Sequence, residues 1–419
     1  MGQAGRILIA LVAGLLAGIG LASAGWAGTG IGIAQPVGAA WLNGLQMTVV
    51  PLVIALLVLG VAATADAARA GRIAGRSILL FVIILWASSI MAAIVTPLLL
   101  RLWPLAPGAA AALKGALAGT KPVGEVPPFG EFLAAIVPSN PISAAASDAF
   151  LPLIVFTLVF AFAITRLPKE QRDLLTNLFR AITDAMLVII NWVLWLAPLG
   201  VFALALVVGA KAGTAAFGAL LHYVLIVSAV GAVVWLASFL IGAWGGKVGV
   251  ARFARATASA QAVAISTQSS LASLPAMLKG AESLGVPAAT SGIVLPLAVA
   301  IFRATGPCMN LAVAIYIAVW FGVPLTASNL TAGVAVAAIT TMGAVSLPGA
   351  ISYVSSIAPI CVAMGVPVAP LGLLVAIEAF PDLMRTLGNV TSDLAATAIV
   401  SARTAATPES PEDALLETR

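Results

Sequence analysis

Charge is what this chain has least of. Lysine, arginine, aspartate and glutamate make up 8% of its 419 residues, against about 25% in a soluble globular protein. That excludes a water-facing domain, whose surface needs charged side chains. The two cysteines, Cys308 and Cys361, both fall in apolar segments, so neither a disulfide framework nor a metal site is implied. The single histidine, His222, has no partner at metal-ligand spacing and reads as an interfacial residue rather than a proton relay. The net charge of +5 arises from a one-sided placement of lysine and arginine and does not point to nucleic acid.

Apolar side chains fill the space that charge leaves. At 62% hydrophobic residues, the chain reads as an integral membrane protein whose principal partner is the lipid bilayer. Apolar runs of spanning length lie near 7–25, 38–63, 77–100, 148–165, 182–209, 218–243, 288–322 and 367–401. Two more, about 256–285 and 327–363, are interrupted by Pro, Gly and Ser/Thr clusters. The first run is not a cleavable signal, since nothing after it reads as a soluble mature protein. If eight spans alternate, Arg6, Arg69, Arg72, Arg76, Arg166, Lys169, Arg172, Arg180, Lys247, Arg252, Arg255, Lys279 and Arg403 share one side. Only Arg101, Lys114, Lys121 and Lys211 fall on the other. Positive residues gather on the cytoplasmic face, so both termini are expected there, in the cell (inner) membrane. The Pro/Gly/Ala-rich loop 104–129 is then external, and the tail 404–419 reads as disordered.

The last run carries five polar residues that hydrocarbon does not tolerate idly: Glu378, Asp382, Arg385, Asn389 and Asp393. On one helix these fall within a sector of roughly 80° along about 22 Å. Such groups normally face a protein interior or water-filled cavity and mark a substrate or ion path. A structural Asp382–Arg385 pair is the plainer alternative, but a pair does not need five polar residues on one stripe. A paired-aspartate hydrolase is excluded by distance, since Asp382 and Asp393 are about 16 Å apart along a helix.

The interrupted runs read as hairpins. Ser266-Thr267-Gln268-Ser269-Ser270 is a poor continuous span, and irregular backbone at membrane depth is tolerated only where protein or a cavity covers it. Counting crossings, this segment must enter and leave from the cytoplasm, with its tip near Ser269–Ser270. The second, around Ser346-Leu347-Pro348-Gly349-Ala350, must do so from outside. Two ordinary kinked helices would make ten spans and upset the Lys/Arg asymmetry. Opposed hairpins of this kind resemble the inverted, discontinuous elements that build transporter sites at the midplane.

With these elements in order, the chain resembles the dicarboxylate/amino acid:cation symporter family, the glutamate transporter homologues, over roughly 5–403. The likeness rests on Leu45-Gln46-Met47-Thr48-Val49-Val50-Pro51-Leu52-Val53, Ile136-Val137-Pro138-Ser139-Asn140-Pro141 and Ala197-Pro198-Leu199-Gly200-Val201-Phe202-Ala203. It continues through the Ser269-Ser270 tip, Leu347-Pro348-Gly349-Ala350, and Asp382-x-x-Arg385-Thr386-x-x-Asn389-Val390-Thr391-x-Asp393. The resemblance implies an all-α fold of eight transmembrane helices and two re-entrant helical hairpins, built from inverted repeats and working as an elevator. Residues 1–76 and 130–210 would be scaffold; 77–101 and 218–403 would form the moving transport domain of a homotrimer. Asp382 would hold a substrate ammonium and Arg385 a side-chain carboxylate, with Thr386 and Asn389 completing the pocket. Ser269, Ser270, Leu347 and Gly349 would close over it. A guanidinium grips a carboxylate bidentately, and Asp382 needs a cation, so this set favours acidic amino acids over plain dicarboxylates. The expected activity is secondary active symport of a small anionic or zwitterionic solute, with no organic cofactor and sodium or a proton as coupling ion.

One motif departs from the family. After Leu295-Pro296-Leu297, relatives carry Asn-Met-Asp-Gly-Thr; here the residues are Phe302-Arg303-Ala304-Thr305-Gly306. Phe302 and Ala304 offer no side-chain oxygen to a hard cation. Ser88 and Ser89 stand where relatives place hydroxyls on the same sodium, but a neighbouring aromatic hydroxyl has become Leu85. The deep sodium site is therefore expected to be lost, while the one near Asn389 and Asp393 keeps its side chains. Arg303, deep in an apolar run, is read as a tethered cation that neutralises Asp393 or Asp382, leaving coupling to Asn389/Asp393 or to a proton on Glu378. A non-transporting sensor or scaffold descended from a transporter is the alternative this loss leaves open.

Overall fold

The computed structural model describes residues 3–69, 71–105, 137–147, 149–343 and 349–405, and every regular element among them is a helix. Lipid forces that outcome, because a helix satisfies its own backbone polar groups where no water can. Helical stretches Gly5–Ser23, Ala27–Asp66, Arg72–Leu102, Lys169–Trp195, Ala215–Gly245 and Ala288–Phe321 are long and apolar enough to cross a membrane. The chain is a multi-pass membrane protein. The external loop and the tail anticipated at 104–129 and 404–419 fall almost wholly outside the described residues, as do Leu347 and the second hairpin's tip.

The first two helices, α1 (Gln3–Ser23) and α2 (Ala27–Gln46), pack with α8 (Ala197–Ala212). Next come α3 (Val49–Arg69) and α4 (Arg72–Leu102), then short α5 (Pro141–Ala146), α6 (Phe150–Thr165) and α7 (Lys169–Trp195). Helix α3 lies against both α6 and α7. The rest of the chain is α9 (Ala215–Gly245), α10 (Val250–Thr267), α11 (Ser270–Ser283), α12 (Ala288–Ile301), α13 (Thr305–Phe321), α14 (Ala327–Gly343), α15 (Gly349–Ala363), α16 (Pro370–Leu374) and α17 (Ala379–Ala405). Helix α17 is the hub, packing on α4 and on α9 through α13. Helices α10 and α11 form a tight pair turning at Gln268 (φ 51°, ψ 34°), and Ser269 caps α11 by accepting from Ala272 N at 3.2 Å.

Four apolar runs expected as single helices are broken instead, and proline explains each. Proline has no N–H to give the carbonyl four residues back, so a helix's first turn suits it best, although Pro36, Pro97, Pro275, Pro296 and Pro359 are accommodated inside helices here. Pro51 is the third residue of α3 and the break lies at Met47–Thr48; Pro198 is the second of α8, with the break at Leu196. Pro307 is the third of α13, after a break at Phe302–Ala304, and Pro381 the third of α17, after a turn at 375–378. The run 367–401 is thus not one helix. Glu378 precedes α17, and only Asp382, Arg385, Asn389 and Asp393 lie on it.

His222 is buried, 5% exposed, with Nδ1 2.9 Å from the Tyr316 hydroxyl and Nε2 2.9 Å from the Trp103 carbonyl. It ties the end of α4 to α9 and α13.

Small residues set the closest approach, between α1 and α8. A Cβ on Gly18 would strike the Leu206 carbonyl, and one on Gly209 the Leu15 carbonyl, whereas Gly20 faces nothing within 4 Å. Membrane helices associate through such contacts. Gly18→Val should therefore lower stability by about 1–3 kcal/mol in thermal unfolding of the detergent-purified protein, with Gly20→Ala near neutral. Equal melting of Gly18→Val and wild type would disprove this contact.

Candidate functional site

The site forms where the two discontinuities at 302–304 and 375–378 meet along α17. A helix break frees carbonyls and lets a loop residue approach a neighbouring helix, so both breaks bring polar groups to one place. The Arg385 guanidinium is engaged at every nitrogen. Nη2 pairs with Glu378 Oε1 at 2.5 Å, Nε lies 3.3 Å from Asp382 Oδ1, and Nη1 donates to Asn310 Oδ1 at 2.7 Å. Glu378 is 2% exposed and Asp382 8%. The turn at 375–378 swings Glu378 onto the arginine seven residues later, which one regular helix would not do as directly.

Asn389 is committed from another side. Its Oδ1 accepts from Thr305 N at 3.0 Å and from Thr305 Oγ1 at 2.7 Å, leaving its NH2 group as what it can offer a solute. Thr305 also bonds the Arg385 carbonyl at 2.8 Å, so the start of α13 is stitched to α17. Gly388 permits this approach, since a Cβ there would strike the Thr305 methyl. Thr386 is buried, its hydroxyl donating back to the Asp382 carbonyl at 2.9 Å.

Asp393 sits deeper on the same stripe. It is fully buried, and neither carboxylate oxygen has a hydrogen-bond partner among the described residues. The charge acting on it is Arg303. Arg303 itself occupies the unwound link between α12 and α13, without a direct ion pair among the described residues, in the fields of Arg385, Asp382 and Asp393. Around it, the sodium ligands expected to be lost are replaced by self-satisfied groups. Phe302 stacks on Phe81 with centroids 4.4 Å apart and planes at 9°. Ser88 donates to the Ala304 carbonyl at 2.6 Å and Ser89 to the Val334 carbonyl at 2.9 Å.

The first hairpin meets the site at its tip. Ser269 and Ser270 are half-buried, and the neighbouring Gln268 donates from Nε2 to the Ala379 carbonyl at 3.1 Å, tying the tip to the start of α17. Gly349 begins α15, and Leu347 lies outside the described residues. Asn310, Thr305, Gln268 and the Tyr223–Tyr353 hydroxyl pair at 2.8 Å were not singled out from the sequence. A lone asparagine inside the apolar run 288–322 was the signal available for Asn310. For the tyrosines, 130 residues apart, there was none.

A test follows from the Asn389 clasp. Thr305→Val keeps the shape and leaves the Thr305 N–H on Asn389 Oδ1 but removes the hydroxyl bond, so stability should fall by about 0.5–1.5 kcal/mol in thermal unfolding. An unchanged melting temperature would mean that the Thr305–Asn389 bond contributes nothing.

Residues 4–403 match the model of the sodium:dicarboxylate symporter family. A proton/glutamate-aspartate symporter of Escherichia coli (strain K12) is 27% identical, covering 94% of this chain and 91% of the relative. A proton/sodium-glutamate symport protein of Geobacillus stearothermophilus is 27% identical over 96% and 94%. A C4-dicarboxylate transport protein of Ralstonia nicotianae is 28% identical over 95% and 88%. With its buried charged stripe, its broken helices and a match spanning nearly all its length, this chain belongs to the sodium:dicarboxylate symporter family, a family of membrane transporters and not of enzymes.

Proposed function

We propose that the chain is a secondary active symporter of acidic amino acids or related dicarboxylates. The observation that carries this is Arg385, a buried guanidinium lying between Asp382 and Glu378 at the junction of two broken helices. A cation beside a carboxylate, three residues apart on α17, matches a zwitterion with one additional acid group. Arg385 takes the solute's side-chain carboxylate, Asp382 its ammonium, and the NH2 of Asn389 and hydroxyl of Thr386 complete the contacts. Ser269 and Ser270 close from one side, and Leu347 with the Gly349 backbone from the other. The relatives' names point to the same solute classes.

The moving unit in this reading is 77–101 with 218–403, carried against a scaffold of 1–76 and 130–210 in a homotrimer. Eight spans and two re-entrant hairpins in the inner membrane put both termini in the cytoplasm. The packing of α17 on α4 and on α9 through α13 supports one transport unit, and the glycine-lined contact of α1 with α8 supports a separate rigid frame.

Sodium dependence is weakened. Phe302 stacked on Phe81, and Ser88 and Ser89 turned to backbone carbonyls, support loss of the deep sodium site. Arg303 supplies a tethered positive charge in its place. The remaining coupling lies with Asn389 and Asp393, or with a proton on Glu378.

Uptake of labelled aspartate, glutamate and succinate into proteoliposomes tests the assignment. Arg385→Ala should abolish binding of acidic solutes in a folded protein; binding equal to wild type would refute the pocket. Arg303→Met should weaken solute binding, in a manner restored by sodium, because it removes the positive charge that acts on Asp393. A wild-type affinity that climbs by orders of magnitude with sodium would make Arg303 a bystander.

A further inference from the structure

A cavity of about 500 Å³ lies between α4, α9 and α17, and none of the charged residues of the buried stripe lines it. The three helices pack on one another, but short side chains at Ala87, Ala237 and Gly245 leave a trough along the contact. Ile83, Ile241 and Trp244 border it and are all exposed. The trough is therefore open to whatever surrounds the protein at that depth.

Its two ends differ in chemistry. At the inner end Ser88, Ser238 and Ser392 line it, and each hydroxyl is engaged within the protein. Ser88 donates to the Ala304 carbonyl at 2.6 Å, Ser238 to the Val234 carbonyl at 2.8 Å, and the Ser238 and Ser392 hydroxyls lie 2.7 Å apart. A polar ligand would lose its water there with little in return, so hydrocarbon is the occupant this end favours. At the outer end Arg403 lines the mouth. Arg76 Nη1 donates to the Arg403 carbonyl at 3.4 Å, which sets a second guanidinium side chain beside the first. Arg72 stands about one turn earlier on α4, and the nearest acid in the chain, Asp66, is one charge against three. Trp244, at the end of α9, brings an indole to the same level, as membrane interfaces favour.

Length agrees with this polarity. Leu80 to Met91 on α4, and Ser392 to Arg403 on α17, each cover about 16 Å of helix axis. The hydrocarbon of one leaflet is about 15 Å deep, half of the bilayer core. Helix α4 starts at the charged end, and α9 and α17 finish there. That is the end proposed to face the cytoplasm, whose leaflet carries the anionic lipids.

We infer that the trough binds one anionic phospholipid, with an acyl chain laid between α4, α9 and α17 and the phosphate on Arg403 and Arg76. A free phosphate would leave the apolar length unfilled, and an uncharged chain would leave the mouth without an anion. A zwitterionic lipid brings a cation of its own to a mouth that is already cationic. The acyl tip lies beside Ser88, whose hydroxyl holds the link that bears Arg303, and beside Ser392, the neighbour of Asp393. Bound lipid thus braces the polar stripe from behind, on three helices of the proposed moving unit.

The site is separate from the solute pocket, and its test needs no solute. Native mass spectrometry of the detergent-purified full-length protein, titrated with phosphatidylglycerol or phosphatidylcholine of identical chains, counts the lipids held per chain. Wild type should fill one phosphatidylglycerol site per chain first and hold it more tightly than phosphatidylcholine. Arg76→Gln and Arg403→Gln should each weaken that site roughly fivefold, the effect of one cation near a charged membrane surface. Arg180→Gln, on α7 and away from the trough, should change nothing. Ala87→Trp fills the trough from an exposed position and should abolish the first site for both lipids with the arginines in place. Melting of each variant in lipid-free detergent should match wild type, which separates lost binding from lost folding. Equal retention of the two lipids by wild type overturns the inference without any variant. An unchanged first site in Ala87→Trp also overturns it, leaving an ordinary lipid annulus. Displacement of the lipid by equimolar glycerol phosphate overturns it in favour of a free-anion site.

Discussion

A guanidinium at membrane depth must be surrounded by acceptors, and the neighbourhood of Arg385 is organised by that requirement. Water cannot supply the acceptors, and each unmatched charge there costs several kilocalories per mole. Glu378, Asp382 and Asn310 come from a turn, from α17 and from α13. To bring them together, two helices have to break, and the broken ends must in turn be satisfied. Thr305 closes one break by bonding both Asn389 and the Arg385 carbonyl. Ser88 closes its other side through the Ala304 carbonyl. The arginine, the broken helices and the hydroxyl clasps form one chain of mutual need.

Prolines decide where the breaks fall. Pro307 and Pro381 each stand third in a new helix, where a missing N–H is harmless to that helix but takes a hydrogen bond from continuation of the one before. Because the residues just ahead are then irregular, Arg303 and Glu378 both fall in links rather than on helices. A side chain in a link is freed from the 3.6-residue period. That freedom lets Glu378 reach Arg385 and sets Arg303 within the field of Asp393.

Much of this was legible in the chain. Scarcity of charge and long apolar runs gave a helical membrane protein, and the spacing of Asp382, Arg385, Asn389 and Asp393 gave a shared polar stripe. The Ser/Thr-rich interruption marked a real turn, and its tip residue Ser269 indeed caps the helix that follows. The breaks within apolar runs were less visible, because hydropathy is blind to a missing N–H; Pro51 and Pro198 were read as parts of family motifs, and Pro307 and Pro381 were not singled out. Contacts between distant segments were not legible at all. Asn310 and Arg385 are 75 residues apart, and no local pattern announces that one holds the other. Nor did Phe302 disclose that its ring would stack on Phe81.

That stacked pair bears on how a gradient would reach the proposed pocket. An ion that couples transport must be able to leave, and neither a stacked aromatic pair nor a tethered guanidinium can. In the proposed function Arg303 contributes a constant to the electrostatics of Asp393, the same before and after the solute arrives. Coupling in any carrier requires that solute and ion each bind better to the form the other stabilises. The group that answers the gradient must therefore be one whose charge can change, and on α17 and the turn before it those are carboxylates: Asp393, buried with no hydrogen-bond partner among the described residues, and Glu378, set beside Arg385 by the turn that Pro381 made possible.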